Sequence, residues 1–229
     1  GQLNQLEASF LVGADGGHST VRKQLDLAFD GLTFPETTIL ATTRFAFHAH
    51  LPDLSYINYC WSESGTFSLL RLRDLWRVSL YQDEGESLEE ATSHTSVQQK
   101  MQRIWPRQEA YDMLEIRPYR IHQRVVKQYV TGRVVLVGDA AHLNSPSGGM
   151  GMNGGIHDAF NLSEKLGSIL NEKCGLEALA LYERQRRPIA ISHVLEQSGR
   201  NRARMQERDL SKRLVAMEEL QRKASDPVL

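Results

Sequence analysis

The 229-residue sequence predicts an α/β fold, in which a layer of strands and helices is interrupted by an antiparallel β-rich insert and followed by C-terminal helices. Three observations predict it. Two segments, near residues 9–25 and 131–170, each pass from an apolar strand through a loop of glycine and aspartate into a helix. Between them, short runs rich in β-branched and aromatic residues alternate with turn residues, the texture of antiparallel strands. Past about residue 186 the chain is helical in pattern and rich in Arg and Glu. The implied boundaries are 1–28 and 131–185 for the layer, 29–130 for the insert and 186–229 for the terminal helices.

In chain order, Ser9–Val12 (SFLV) reads as a short buried strand, and 19–25 (STVRKQL) as one or two helical turns with Ser19 or Thr20 as N-cap. TILATTRFAFHAH, YINYCW, TFSLLRLR and WRVSLYQ read as three or four antiparallel strands. Residues 87–105 read as one helix, because Leu88, Ala91, Val97, Met101 and Ile104 fall at helical intervals, and Pro106 ends it. Residues 116–130 are extended, and Thr131-Gly132 is a turn. Arg133–Val137 is an unalternating Val/Leu run, which suits a strand covered on both faces of a parallel sheet. A helix follows from about Met152 to Leu170, with Ile156, Phe160, Leu166 and Ile169 as its expected core face. LEALALYERQRRPIA carries a helix expected to break at Pro188.

Composition narrows the function classes. The chain is 41% hydrophobic and 24% charged, with a net charge of -1, which gives no reason to expect nucleic acid as a partner. Cys60 and Cys174 are far apart with no CxxC neighbour, so a reducing, cytoplasmic location is expected. No apolar run reaches the ~20 residues a bilayer span needs. The opening GQLNQLEASFLVGADGG lacks an initiator Met and reads as a hairpin tail running into a strand, so we expect a chain entered midway.

The stretch VVLVGDAAHLNSPSGGMGMNGGIHDAF (134–160) holds the densest chemistry. Glycines at 148, 149 and 151 let backbone approach a flat or anionic ligand without a Cβ in the way. The helix starting there aims free N–H groups and a positive dipole end at the same place. Asp139, at the carboxyl end of a strand, sits where open α/β sheets bind ligands and can accept hydrogen bonds from ribose hydroxyls. Gly149, Gly151 and Gly154 also satisfy G-x-G-x-x-G, but about ten residues separate them from the strand, so the match is read as accidental. A plain glycine-rich helix entry, with Asp139 as a turn residue, remains the alternative at this level. A second strand-to-helix corner, GADGGHSTVR (13–22), carries Asp15, Gly16 and Arg22, which taken singly are a tight turn and a solvated charge.

Together these segments resemble the FAD-dependent aromatic hydroxylases, the flavoprotein monooxygenases of the para-hydroxybenzoate hydroxylase fold. GADGGHSTVR is similar to the family's DG motif, GRVVLVGDAAH (132–142) to its GD motif, and PSGGMGMNGGIHDAFNLSEKL (146–166) to the loop and helix that follow; LALYERQRRPIA (179–190) also matches. The resemblance covers the ends of the chain well and the middle poorly. It implies a partial FAD-binding layer, of the glutathione reductase-like Rossmann type, with an inserted substrate domain. It implies that Gly138 and Asp139 meet the flavin's ribose, and that Asp15, Gly16 and Arg22 organise the dinucleotide region. Pro146 would line the substrate side of the flavin. Gly148, Gly149, Met150, Gly151, Met152 and Asn153 would meet the pyrophosphate and flavin edge, Met150 through its backbone alone. The implied activity is hydroxylation of an aromatic or phenolic molecule with NAD(P)H, FAD and O2. The family's N-terminal βαβ unit is not in the sequence, and we expect it upstream of Gly1.

The catalytic base is not evident; His122 is a weak candidate, and a lone strand histidine is ordinarily structural. His142 reads as structural. Arg44 is a candidate for an anionic substrate, against a solvated or paired role. Tyr56, Tyr59, Trp61, Phe67 and Trp76 are pocket or core residues. The C-terminal tract 184–223 interleaves Glu and Asp with its arginines, as a salt-bridged solvent-facing helix does. Two alternatives stay open: a reductase or halogenase of the same fold, although no W-x-W-x-I-P is found, and a non-catalytic fragment that no longer binds FAD.

Overall fold

The structure, a computed structural model, describes residues 4–62, 65–146 and 150–226. Its strands and helices, in chain order, are β1 (Leu11–Gly13), α1 (Thr20–Gln24), β2 (Phe29–Thr43), β3 (Ile57–Ser62), β4 (Gly65–Arg71), β5 (Trp76–Tyr81), α2 (Leu88–Ala91) and α3 (His94–Ile104). These are followed by β6 (Met113–Val126), β7 (Val130–Thr131), β8 (Val134–Leu136), β9 (His142–Leu143), α4 (Met150–Leu170), α5 (Glu177–Ile189), α6 (Glu196–Gln206) and α7 (Leu210–Ala224). The class is the expected one, mixed α/β with an antiparallel sheet and helices at the C-terminus. The chain divides into two compact units, Gly1–Thr33 with His122–Arg202, and Phe34–Ile121 with Ala203–Leu229.

In the first unit β8 lies between β1, parallel to it, and β7, antiparallel to it. Leu11, Val12 and Gly13 stand opposite Val134, Val135 and Leu136. β8 is the covered strand, with Val135 and Leu136 buried under α4 and α5 in a cluster with Leu162, Leu179 and Tyr182. β1 departs from expectation: Leu11 and Val12 are 50% and 40% exposed, because β1 is an edge strand among the described residues.

In the second unit β3, β4 and β5 form an antiparallel meander, and β2 pairs antiparallel with β5. Burial alternates along β5: Trp76, Val78 and Leu80 face the core while Arg77, Ser79 and Tyr81 face away. The inward face packs on Val97 and Met101 of α3. The expected single helix over 87–105 is two. Ser87 starts α2 with a reciprocal capping box to Glu90, and Ser93 starts α3 by accepting from the Ser96 N–H. Two strong N-caps six residues apart interrupt one apolar periodicity. The helix ends at Trp105, before Pro106.

Two further expectations are corrected in the helices. The stripe of α4 that packs inward is Gly154, Asp158 and Leu162, with Leu166 and Ile169 partly buried beside it. Ile156 and Phe160 lie on the exposed side, Phe160 at 69%. Pro188 does not break its helix: α5 continues through it, and Ala190–Leu195 follow as a π-helical segment leading into α6. The Ser192 hydroxyl donates to the Pro188 carbonyl, 2.9 Å.

Candidate functional site

The site is built from two corners at the carboxyl ends of β1 and β8. Register places Gly13 beside Leu136, so Asp15 and Asp139 leave adjacent parallel strands at the same end, and the Val137 N–H donates to the Gly13 carbonyl, 3.0 Å. Gly13 is required by space: a Cβ there would lie 2.7 Å from Leu136 Cδ2 and 3.0 Å from Val21 Cβ. Gly16 turns the first corner at φ +76. Asp15 Oδ2 then accepts from the Thr20 and Val21 N–H groups, 2.7 and 3.1 Å, satisfying donors that open α1. The Ser19 hydroxyl first, and these amides with it, hold the Asp15 carboxyl below its ordinary range despite the opposing effect of burial.

Arg22 joins the corners. Its side chain donates from Nη1 to the Ala140 carbonyl, 2.9 Å, and from Nη2 to the Gly17 carbonyl, 2.7 Å. Its guanidinium carbon lies 3.9 Å from the centre of the Phe29 ring. The solvated role open to Arg22 in the sequence is not the observed one, since the residue is buried.

The second corner is anchored from α4. Gly138 has φ +57, and a Cβ on Gly155 would lie 3.2 Å from Gly138 Cα, so helix and turn meet backbone to backbone. Asp158, fully buried, accepts from the Gly138 N–H at 3.1 Å and from Arg186 Nε at 2.7 Å, and lies 2.7 Å from His142 Nε2. A carboxylate only accepts, so Nε2 carries the hydrogen. Burial alone would raise the Asp158 pKa; the hydrogen bonds and charges of His142 and Arg186 outweigh it and hold the pKa below its ordinary value. α5 supplies further clamps. The Tyr182 hydroxyl donates to the Leu136 carbonyl, 2.9 Å, Glu183 accepts from the Tyr129 and Val130 N–H groups, and Arg187 Nε donates to the Val126 carbonyl. Burial pushes the phenols of Tyr129 and Tyr182 up.

Asp139 stands apart from this network. It is exposed and makes no side-chain hydrogen bond among the described residues. Pro146 is exposed, Gly148 and Gly149 fall outside the described residues, and Met150, Gly151, Met152 and Asn153 form the first turn of α4. His122 lies on β6 with Nδ1 2.9 Å from Thr33 Oγ1, which also accepts from Arg124 Nη2. Arg44 pairs with Asp112 at 3.0 Å, both exposed. Trp76 is core, Phe67 packs against it, and Tyr56 and Tyr59 are exposed. In the second unit α7 and α3 border a groove of about 1250 Å³ whose inner lysine, Lys100, is already paired with Glu86 at 2.6 Å. Among the described residues no cluster of metal-ligating side chains occurs, and no helix is long and apolar enough to cross a membrane.

An exposed, uncommitted carboxylate beside a positive-φ glycine, at the carboxyl end of a parallel strand pair, is suited to a dinucleotide cofactor. Residues 1–197 match the family model described as FAD binding domain. The chain belongs to this FAD-binding family. Over 219 residues it is 31% identical to the para-nitrophenol 4-monooxygenase of Pseudomonas sp. (strain WBC-3), covering 93% of this chain and 53% of that protein. Over 197 residues it is 31% identical to the 6-hydroxy-3-succinoylpyridine 3-monooxygenase HspB of Pseudomonas putida (strain DSM 28022 / S16), covering 86% and 50%. The crystal structure of p-nitrophenol 4-monooxygenase PnpA from Pseudomonas putida DLL-E4 superposes with a TM-score of 0.83 at 29% identity, covering 95% of this chain and 55% of that one. The flavin-dependent monooxygenase PieE, solved with FAD and substrate, gives 0.74 at 25% identity, with 86% and 35% covered. The chain is thus a member of the FAD-dependent aromatic hydroxylases with their fold, and it spans about half the length of the curated relatives it matches here.

Asp158, Arg186 and Tyr182 were not among the sequence candidates. The available signal was the helical spacing of Asp158 with Gly154 and Leu162, which puts an acid on a packed stripe.

Proposed function

We propose that this chain forms the flavin-holding and substrate-binding parts of a cytoplasmic FAD-dependent monooxygenase that hydroxylates an aromatic or phenolic small molecule with NAD(P)H and O2. The observation that carries the reading is Arg22 bonding Ala140 and Gly17, which ties two acid-and-glycine corners into one rim. Two free cysteines fit a reducing compartment.

In this reading Asp139 accepts from the ribose hydroxyls of FAD. Asp15 and Gly16 shape the corner, and Asp15 acts through the α1 amides it caps rather than by direct contact. The backbone of 148–153, with Asn153, meets the pyrophosphate and flavin edge, and Pro146 borders the substrate side. Bound FAD supplies the redox chemistry, accepting reducing equivalents from NAD(P)H and passing them to O2. The N-terminal end of α4 favours negative charge near its first turn by about 0.3–1 kcal/mol at an exposed helix end, and more where water is excluded. Thr33 Oγ1 lies 2.9 Å from His122 Nδ1, so any proton transfer by this residue falls to Nε2.

Asp139→Ala tests the reading. The flavin absorption of the purified protein and its FAD affinity are measured beside thermal stability. An exposed, unpaired carboxylate should leave the FAD-free melting temperature unchanged, while FAD affinity falls roughly 10- to 100-fold for the lost charged hydrogen bonds. Unaltered FAD affinity in the variant refutes the assignment. Phenol-dependent NAD(P)H oxidation yielding a hydroxylated ring tests the reaction.

A further inference from the structure

One carboxylate oxygen grips both ends of the turn that presents Asp139. The chain makes a short helical turn at Gly138–Ala140, closed by the Ala141 N–H on the Gly138 carbonyl, 2.8 Å, and enters β9 at His142. Oδ2 of Asp158 accepts from the Gly138 N–H at the start of this turn, 3.1 Å, and from His142 Nε2 at its end, 2.7 Å. Oδ1 accepts from Arg186 Nε, 2.7 Å, and Arg186 Nη2 donates to the Gly154 carbonyl, 3.4 Å, which fixes the carboxylate to α4 and α5. From the other side the Ala140 carbonyl accepts from Arg22, and the Ala141 carbonyl from the Val126 N–H, 2.9 Å. Ala140, Ala141 and His142 are buried, so Asp139 is the one side chain of 138–142 that reaches solvent.

His142 is committed to that single contact. Nε2 gives its hydrogen to Asp158, while Nδ1 is buried with no hydrogen-bond partner among the described residues. Tyr129 stacks beside the ring, centroids 6.1 Å apart, and its hydroxyl is likewise unpartnered. A side chain kept for packing alone would be apolar here, since a bare buried acceptor is destabilising; the ring is kept for what Nε2 does. Without that bond Oδ2 would hold only the longer contact, to Gly138, while Arg186 keeps its grip on Oδ1. Glycine at φ +57 is then free to leave the turn. We propose that His142 is a positioning residue for FAD: through Asp158 it locks the Gly138 turn so that the Asp139 carboxylate is already in place when the cofactor arrives. The inference rests on the assignment of Asp139 to the ribose made above. Ordering one loosened backbone residue at the moment of binding corresponds to about a tenfold loss of affinity.

Two readouts test it: FAD affinity from quenching of flavin fluorescence, and exchange of the Gly138 amide followed by NMR in the FAD-free protein. Both are taken on the parent, on His142→Leu, His142→Gln and Asp139→Ala, and on the double variant Asp139→Ala/His142→Leu. In the parent the Gly138 amide should be as well protected as the amides of β8. His142→Leu should speed its exchange and weaken FAD about tenfold. His142→Gln, which keeps an N–H at the reach of Nε2, should restore both to within a few-fold. In the Asp139→Ala background His142→Leu should cause no further loss, because the turn then has no carboxylate to present. A histidine that only supports the fold would instead weaken FAD by the same factor in both backgrounds, and that result overturns the proposal. So does a Gly138 amide that exchanges freely in the parent, a measurement that stands even where His142→Leu does not fold. Parental FAD affinity in Asp139→Ala sinks the ribose assignment itself, whereas a weakened Asp139→Ala beside a silent His142→Leu sinks this inference alone.

Discussion

Replacing Asp158 by Asn should destabilise the protein by about 3 kcal/mol. The carboxylate is fully buried and meets three donors, from Gly138, His142 and Arg186. Asparagine keeps the shape but offers one acceptor oxygen and turns an NH2 toward groups that are themselves donors. It also leaves the Arg186 charge, whose side chain is 13% exposed, without its partner. Breaking one side of a buried ion pair typically costs about 3–5 kcal/mol, and the retained oxygen argues for the lower end. For a chain of this size, 3 kcal/mol corresponds to a drop in Tm of roughly 6–12 °C. Thermal and urea unfolding followed by circular dichroism measure it. Asp158→Asn/Arg186→Met, which removes both charges, should recover at least ~1 kcal/mol relative to Asp158→Asn. An Asn variant within about 0.5 kcal/mol of the parent refutes the claim that this carboxylate organises the Gly138 turn.

The same group predicts acid lability. Asp158, Asp15 and Glu86 all have folded pKa values below their ordinary ones. For Glu86, burial pulls upward, and hydrogen bonds from Lys100 and Ser96 overcome it. A depressed carboxyl contributes stability that is complete above its unfolded pKa, about 4, and is lost as pH falls toward the folded value. Stability should therefore decline below about pH 4, and Asp158→Asn should flatten that slope; a pH-independent Tm between 3 and 5 contradicts this. Gly13→Ala should cost roughly 1–3 kcal/mol by overpacking against Leu136 and Val21, read from urea midpoints, and a neutral result would show that the two side chains yield freely.

The corners are legible in the sequence because their chemistry is local. Positive φ at Gly16 and Gly138 calls for glycine, and an unalternating Val/Leu run before Gly138 marks a covered strand. Asp158 is not legible in the same way. In sequence it is one polar residue of a helix, and its donors come from positions 138, 142 and 186, which only the fold assembles. The buried stripe of α4 differs from the apolar one for a related reason. Apolarity favoured Ile156 and Phe160, whereas the helix must approach the Gly138 turn so closely that only a glycine face fits. The π-helical segment after Pro188 was hidden because a proline signals a stop, and its accommodation depends on neighbours that the pattern does not reveal.

The bond from Arg22 to Ala140 spans 118 positions of chain yet ends on a carbonyl, a group every residue owns. Whatever lies along that span can therefore be exchanged, shortened or enlarged without rewriting the knot itself. Chain closure penalises such changes gently, by about 0.6 kcal/mol for each doubling of a flexible connection. A rim tied this way is a socket into which different insertions can be spliced while the two corners stay as they were.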